Sequence, residues 1–306
     1  MPKREKILVL MDTSEADKTL LKFVTMMVNA SQTKEIHFFN SIRTMNIPED
    51  VLKDFPDIKK KTIEERKKQI TDLIEATLEK DVMALAHVHI QEGSPSKGIL
   101  NFVDKHKIDL VMMGRHKNFV GGGILSNRLA RRAACSLFIV PEDSQPSSKH
   151  FLVPCDYSPH SKIAMEEAIL IARKYGSTKL TCQNVYTVPG GYHYSGKTYE
   201  EFAEVMEKNA AKEFKKFMAG IDHEGVDITP VYTLDKNDDP AEDIINYAKE
   251  TKPDALIIGV KGRTATTALF IGSKAEQLIQ LNSEIPMLVV RPRGHKAGII
   301  DLLKEI

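Results

Sequence analysis

The chain has 306 residues, of which 42% are hydrophobic and 28% are charged, and its formal net charge is +1. A chain of this length suits two domains of about 150 residues each. A charge near zero excludes a bulk electrostatic attraction to nucleic acid or to a membrane surface. Because no apolar run approaches the roughly 20 residues of a membrane span, we expect partners other than nucleic acid and membrane.

The first residues and the cysteines indicate the cellular compartment. The sequence begins MPKREKILVLMD, and the apolar stretch before Asp12 is too short for the core of a signal peptide. The cysteines Cys135, Cys155 and Cys182 are scattered and show neither a disulfide framework nor the CxxC spacing of a metal site. We therefore predict a cytoplasmic protein without a bound metal in which the cysteines are small hydrophobic residues.

Four ordered blocks of the chain occur twice, at a separation of about 145 residues. The matching blocks are 5–17 with 149–161, 34–42 with 178–186, 94–114 with 239–259, and 136–141 with 286–292. Two copies of one domain explain all four matches. We place these domains at residues 1–143 and 148–306, joined near the segment EDSQPSSK.

Each copy alternates short strands with longer helices. In the second copy the predicted strands are HFLVPC, KLTCQNVY, ITPVYTL, ALIIG and MLVV. They are rich in β-branched and apolar residues without polar alternation, which is typical of buried parallel strands. Helical patterns lie between them at about 161–175, 198–219, 240–251 and 273–282. The alternation predicts an α/β fold in which a doubly wound parallel sheet carries helices on both faces.

The loop after the fourth strand of the second copy is rich in glycine. In an open α/β sheet, ligands bind beyond the carboxyl ends of the strands, where the strand order reverses. The loop reads GVKGRTATTALFIGS, so Gly259, Gly262 and Gly272 would let backbone amides approach a polyanion closely. Gly272 and Ser273 would open the next helix, whose free N–H groups and dipole suit a phosphate.

Charged residues accompany both loops at this edge of the sheet. Lys261, Arg263 and Lys274 place positive charge near the glycines, and Asp156 follows the first strand in the segment PCDYS. Asp156 is positioned to accept hydrogen bonds from ribose hydroxyls or from a ring amine. The alternative interpretation is purely structural, with the glycines forming a turn and Asp156 and Ser158 capping the first helix. Neither a Walker loop nor a dinucleotide fingerprint is present.

In combination, these features resemble the universal stress protein family. The resemblance rests on the G-2x-G-9x-G-S spacing, the VPxDxS opening from Val153 to Ser158, the Asp-Pro start of the third helix and the closing IPMLVVRP. It covers nearly the whole chain, twice over. It implies two tandem flavodoxin-like (Rossmann-like) domains, each with a five-stranded parallel sheet flanked by helices. It also implies ATP, with or without magnesium, between the first and fourth strands.

The resemblance carries the nucleotide site onto the second copy residue by residue. The implied adenosine and phosphate positions are Pro154, Asp156, Val185, Gly259, Gly262, Gly272 and Ser273, with Arg263 and Lys274 as neighbouring cations. The implied function is a non-catalytic, ATP-binding regulator of a stress response. The alternatives are a scaffold of the same fold without nucleotide, and a slow ATPase or autophosphorylating enzyme, for which no general base is evident. Pairing of the two halves through their closing strands and a homodimer are further expectations.

The first copy departs from this pattern. Gly114 is retained in MMGRHKNFVGGGILS, but Lys117 replaces the second glycine and Leu10 replaces Pro154. Gly122 and Gly123 take the Gly-Ser position only if the loop is shorter. We expect this copy to be structural or to bind a ligand other than ATP, such as a smaller anion held by Arg115, His116 and Lys117.

Two further segments have alternative interpretations. His87 and His89 point to one face of a predicted strand, as metal ligands would, or they are solvated or core histidines. The segment GGYHYSGKTY either folds over the ligand of the second copy, with Tyr192, His193 or Tyr194 near the adenine, or is an exposed loop.

Overall fold

Each half of the chain forms its own parallel sheet. The computed structural model describes residues 4–116, 124–176, 179–260 and 271–292. The chain divides between residues 146 and 147 into two compact units, domain 1 (Pro2–Pro146) and domain 2 (Ser147–Ile306).

Domain 1 has a five-stranded sheet in the order β3-β2-β1-β4-β5, and all neighbouring strands are parallel. The strands are β1 (Lys6–Leu10), β2 (Glu35–Ile42), β3 (Ala86–Glu92), β4 (Leu110–Arg115) and β5 (Ser136–Pro141). The helices are α1 (Ala16–Ala30), α2 (Glu49–Asp54), α3 (Ile58–Thr77), α4 (Lys80–Met83), α5 (Pro95–His106) and α6 (Ile124–Arg132).

Domain 2 repeats this arrangement in the order β8-β7-β6-β9-β10, again with parallel neighbours. The strands are β6 (His150–Pro154), β7 (Lys179–Tyr186), β8 (Ile228–Leu234), β9 (Ala255–Gly259) and β10 (Met287–Val290). The helices are α7 (Pro159–Tyr175), α8 (Tyr199–Met218), α9 (Pro240–Thr251) and α10 (Ser273–Leu281), with a 3₁₀ turn at Tyr192–Ser195.

The predicted α/β class and the five-stranded parallel sheets are confirmed in both domains. Helix α9 begins where the sequence predicted, because the Asp239 carboxylate accepts the N–H of Glu242 at 3.2 Å and Pro240 occupies the first turn. The central strands are buried on both faces, as at Leu8 and Leu152. None of the helices within the described ranges combines the length and the apolar composition that crossing a membrane requires.

An aspartate secures the start of the central strand in each domain. The Asp109 carboxylate accepts the N–H groups of Glu5 at 2.8 Å and Lys6 at 3.0 Å. In domain 2 the Asp254 carboxylate accepts the N–H groups of Lys149 at 2.7 Å and of the following histidine at 2.8 Å. These contacts lie at the amino ends of the strands and satisfy backbone donors where each sheet begins. The opposite edge, where the strand order reverses between β1 and β4 and between β6 and β9, is left for a ligand.

Candidate functional site

A cavity of about 270 Å³ lies at the carboxyl ends of β6 and β9 in domain 2. This volume is at the small end of the range for small-molecule sites. Seven of the predicted site residues line it, namely Pro154, Asp156, Val185, Gly259, Gly272, Ser273 and Lys274. Gly262 and Arg263 lie outside the described residues. The structure thus brings together residues that are up to 120 positions apart in the chain.

The loop after β6 is held by its own polar side chains. One oxygen of the Asp156 carboxylate accepts the Ser158 N–H at 3.0 Å and the Ser161 hydroxyl at 2.6 Å. The hydroxyl of Ser158 accepts the Ser161 N–H at 3.2 Å, so Ser158 is the residue that caps α7. Tyr157, which lies between Asp156 and Ser158, adopts a left-handed backbone conformation with φ of +62°. Asp156 is therefore fixed in a tight turn at the cavity wall, and Ser161 is a lining residue that sequence reasoning missed.

The β7 side of the cavity carries two amide side chains. The Asn184 side chain donates to the Cys155 carbonyl at 2.8 Å, and Asn40 donates to the Met11 carbonyl at the same distance in domain 1. The sequence repeat contained this asparagine pair but gave no indication of its role. Gln183 lines the cavity and is fully buried, and its Oε1 has no hydrogen-bond partner among the described residues. A buried acceptor without a partner is costly, so a donor group on a ligand would stabilise it.

The two glycines that the structure describes have different roles. A Cβ on Gly259 would lie 2.6 Å from the carbonyl oxygen of His160, so this glycine allows β9 to pack against the start of α7. Gly272 has φ of −63° and ψ of 144°, a conformation open to any residue. The N–H groups of Ser273 and the next residues of the first turn of α10 have no acceptor within the helix. The backbone conformation of Gly272 therefore does not require glycine. A ligand bound at these N–H groups would favour glycine here, because a residue without a Cβ allows a close approach.

The loop between β7 and α8 does not reach the cavity within the described part of the chain. Tyr192, His193 and Tyr194 are absent from the lining, and Tyr194 is 88% exposed. This arrangement favours the exposed-loop interpretation of the segment over a lid.

Domain 1 has a larger cavity at the corresponding edge of its sheet. Its volume is about 910 Å³, and Leu10, Asp12, Gly114, Arg115 and His116 are among its lining residues. The sequence predicted a structural role here or a ligand other than ATP, such as a small anion. The described residues enclose enough space for a larger organic molecule. The segment 117–123, on which the shortened-loop prediction rests, lies outside the described residues.

A charged network lines the mouth of the domain 1 cavity. The imidazole of His116 lies 2.9 Å from Asp12 and 3.0 Å from Glu142, and these hydrogen bonds raise its pKa. Burial opposes ionisation of Asp12, but hydrogen bonds from Ser14 and His116 hold its pKa below the usual value. The buried Asp17 carboxylate accepts the N–H groups of Asp12 at 3.3 Å and of the next residue at 2.8 Å. It replaces Ser161 of domain 2 in the repeat.

Substitution of Asp17 by asparagine should change how the stability of domain 1 depends on pH. Burial and then the neighbouring charge of Asp12 raise the pKa of Asp17 from 3.8 to about 6. The native state therefore holds a proton that the unfolded chain releases, so the contribution of Asp17 to stability is fully present below about pH 4 and is lost as the pH rises through 6. We expect the free energy of unfolding of the wild type to fall by about 2 kcal/mol relative to Asp17→Asn between about pH 4 and pH 7. Urea unfolding at each pH measures this difference, and parallel pH curves for the two proteins would contradict it.

Four histidines cluster between β2, β3 and α5 in domain 1. His37 lies 3.1 Å from His89 and 3.1 Å from Glu35, and its ring centroid is 5.3 Å from that of His87 and 5.4 Å from that of His106. Burial and then the charge of His37 lower the pKa of His89 to about 4. Among the described residues, no group of histidine, cysteine or acidic side chains has an arrangement that would hold a metal ion. His87 and His89 belong to a cluster of four imidazoles in which His37 is buried and His87 is exposed, and the sequence showed this cluster only in part.

Comparison with known proteins matches both halves of the chain. The model of the universal stress protein family matches residues 3–141 and again 147–291. Universal stress protein MJ0531 of Methanocaldococcus jannaschii is 27% identical over 143 residues, which are 47% of this chain and 82% of that protein. Universal stress protein MJ0577 of the same organism is 24% identical over 157 residues, which are 48% of this chain and 96% of that protein. The crystal structure of a universal stress protein from Archaeoglobus fulgidus covers 94% of this chain and 98% of its own, with a TM-score of 0.64 and 18% identity.

Proposed function

Because the chain belongs to the universal stress protein family, with one family domain in each half, we propose that domain 2 binds ATP and serves as a non-catalytic regulator. The observation that carries the proposal is the meeting of Asp156 and the start of α10 at one cavity. Asp156 would accept hydrogen bonds from the adenosine part of the nucleotide, through ribose hydroxyls or a ring amine. The cavity would hold the nucleoside, and the phosphates would extend past Ser273 and Lys274.

The chemistry of the cavity fits an adenine nucleotide. The N–H groups at the start of α10 and the ammonium group of Lys274 are suited to phosphate oxygens. The Val185 and Ile244 side chains supply apolar surface for a base, and the Gln183 Oε1, which has no partner among the described residues, would accept a hydrogen bond from an amine N–H. Magnesium would be held mainly by the phosphates, since Asp156 is the only carboxylate that lines the cavity among the described residues.

The surroundings of the Asp156 carboxylate favour slow or absent hydrolysis of ATP. A hydrolytic site needs a general base that orients water against the terminal phosphate. One oxygen of Asp156 is already engaged by Ser158 and Ser161, which suits a binding role more than a catalytic one. The pairing of the two halves, a homodimer and a cytoplasmic location stay predictions.

The nucleotide that accompanies purified protein tests the proposal most directly. We expect mass spectrometry of the denatured, full-length protein to find ATP at about one equivalent, and calorimetry of the stripped protein to give tighter binding of ATP than of GTP or AMP. Protein without any nucleotide and without affinity for ATP would favour the scaffold. Turnover at about 1 per second or faster would favour an enzyme.

A further inference from the structure

The large cavity of domain 1 differs in chemistry from the cavity of domain 2. The described part of α6 begins with Ile124 and Leu125, whereas α10 begins with Ser273 and Lys274. Leu125 lines the domain 1 cavity, as Lys274 lines the domain 2 cavity. The start of α6 thus contributes the aliphatic Leu125 to its cavity, whereas the start of α10 contributes a hydroxyl and an ammonium group that suit a phosphate chain. Among the described residues, no cation lines the domain 1 cavity at this helix end.

Cations line the domain 1 cavity at other positions. Arg43 follows β2, Arg66 lies on α3 and Arg115 ends β4. The residue that follows β7 in domain 2 is Thr187, and the residue that follows Gly259 at the end of β9 is Val260. Among the described residues, α8 contributes nothing to the lining of the domain 2 cavity. In the part of the chain that the structure describes, guanidinium groups therefore line the domain 1 cavity and not the domain 2 cavity.

The acidic residues of the domain 1 cavity already have partners. Asp12 is hydrogen-bonded to His116, and Asp17 accepts two backbone N–H groups. Arg66 is oriented by a hydrogen bond to the hydroxyl of Thr13, and burial lowers the pKa of the half-buried Arg115. Desolvation of a guanidinium group is offset when an anion binds beside it. The lining thus has an excess of positive charge.

The rest of the lining is apolar. The aliphatic and aromatic side chains include Met11, Phe39, Ile99, Met113, Leu125 and Ile139. A cavity of about 910 Å³ with this surface would bury a ring system or a chain of considerable length.

We propose that domain 1 binds an amphipathic organic anion, with its carboxylate or phosphate group held by Arg43, Arg66 and Arg115 and its apolar body on the aliphatic wall. This site goes beyond the nucleotide site of domain 2 and is independent of it. The guanidinium groups provide planar donors for a carboxylate or phosphate head group, while the apolar wall excludes water from the remainder of the ligand.

Anilinonaphthalene sulfonate is a suitable probe, since it combines an anionic group with an apolar ring system and fluoresces when it is bound. We expect the domain 1 cavity of full-length protein to bind one equivalent with an affinity in the micromolar range whether or not ATP is present, and Arg115→Gln and the double variant Arg43→Gln/Arg66→Gln each to weaken binding about tenfold. N-phenylnaphthylamine, which has the rings without the sulfonate, should change by less than about twofold. The matched control is Arg132→Gln, at an exposed arginine of α6 outside the cavity.

Competition then distinguishes the head group. Displacement of the probe by decanoate alone would identify a carboxylate ligand, and displacement by decyl phosphate alone would identify a phosphate ligand. The proposal would be overturned if neither decanoate nor decyl phosphate displaced the probe. It would also be overturned if the arginine variants bound the probe as tightly as the wild type, or if ATP displaced it. Because Arg43 is exposed, the single variant Arg43→Gln keeps the comparison interpretable if the other variants fold poorly.

Discussion

Replacement of Ser273 by aspartate is expected to weaken ATP binding by domain 2 about 100-fold, because a carboxylate at this position would face the phosphates across a few ångströms. Ser273 is the first residue of α10 and lines the cavity. Aspartate is favoured in the first turn of a helix, so the substitution should leave the fold and the stability of α10 intact. The effect therefore reports on the ligand and not on the helix.

The matched control is Thr198→Asp, which adds the same charge at another helix start in the same domain. Thr198 caps α8 by accepting the Glu201 N–H, and it does not line the cavity. Calorimetric titration of stripped, full-length protein with ATP should give nearly the wild-type affinity for Thr198→Asp. If Ser273→Asp bound ATP with the same affinity as the wild type, the proposal that the phosphates bind at the start of α10 would be wrong.

Substitution of Gly259 by alanine is expected to destabilise domain 2 by about 3 kcal/mol, since overpacking against a rigid backbone typically has this effect. The new Cβ would lie 2.6 Å from the His160 carbonyl oxygen and 2.8 Å from its carbonyl carbon. These atoms belong to the first turn of α7, so β9 and α7 would have to separate. The turn at Asp156 precedes α7, and the affinity for ATP should fall as well.

Gly114 provides the comparison in domain 1. It occupies the same position in the repeat, but a Cβ there would lie 3.4 Å from the Cβ of Ala16, close to ordinary contact. We expect Gly114→Ala to change the free energy of unfolding by less than about 1 kcal/mol. Chemical denaturation of both variants measures the two effects, and similar losses in the two domains would refute the packing argument.

Most of the fold could be predicted from the sequence, because each strand and helix pattern occurs in both repeats. The buried strands and the helix that begins at Asp239 and Pro240 follow from local patterns of apolar residues and caps. Side-chain contacts to distant backbone groups have no such local pattern. The roles of Asn184 and Asp254 depend on which carbonyl or N–H group the tertiary fold places beside them. Both residues were within the matched blocks, so repetition marked them without explaining them.

The candidate site was accessible in part. The positions of Asp156 and Ser273 followed from the family pattern, and the structure places both at one cavity. Gln183 was missed because a glutamine in a strand carries no ligand signal until its burial is known. The domain 1 cavity was also missed, since its volume depends on how α3 and α6 pack on the sheet and not on any single residue. The glycine spacing in the sequence concerns only the loop after β4, which is one side of the domain 1 cavity.

The aspartate at the amino end of β4 has a consequence for synthesis on the ribosome. Asp109 holds the backbone of Glu5, 104 residues earlier, and β5 completes the first sheet at Pro141. The nascent first domain therefore has all strands of its own sheet before the residues of β6 are translated. Because domains generally fold as units in the order in which they emerge, the first sheet can close before most of its near-copy has emerged from the ribosome. This order reduces the opportunity for strands of the two repeats to exchange partners.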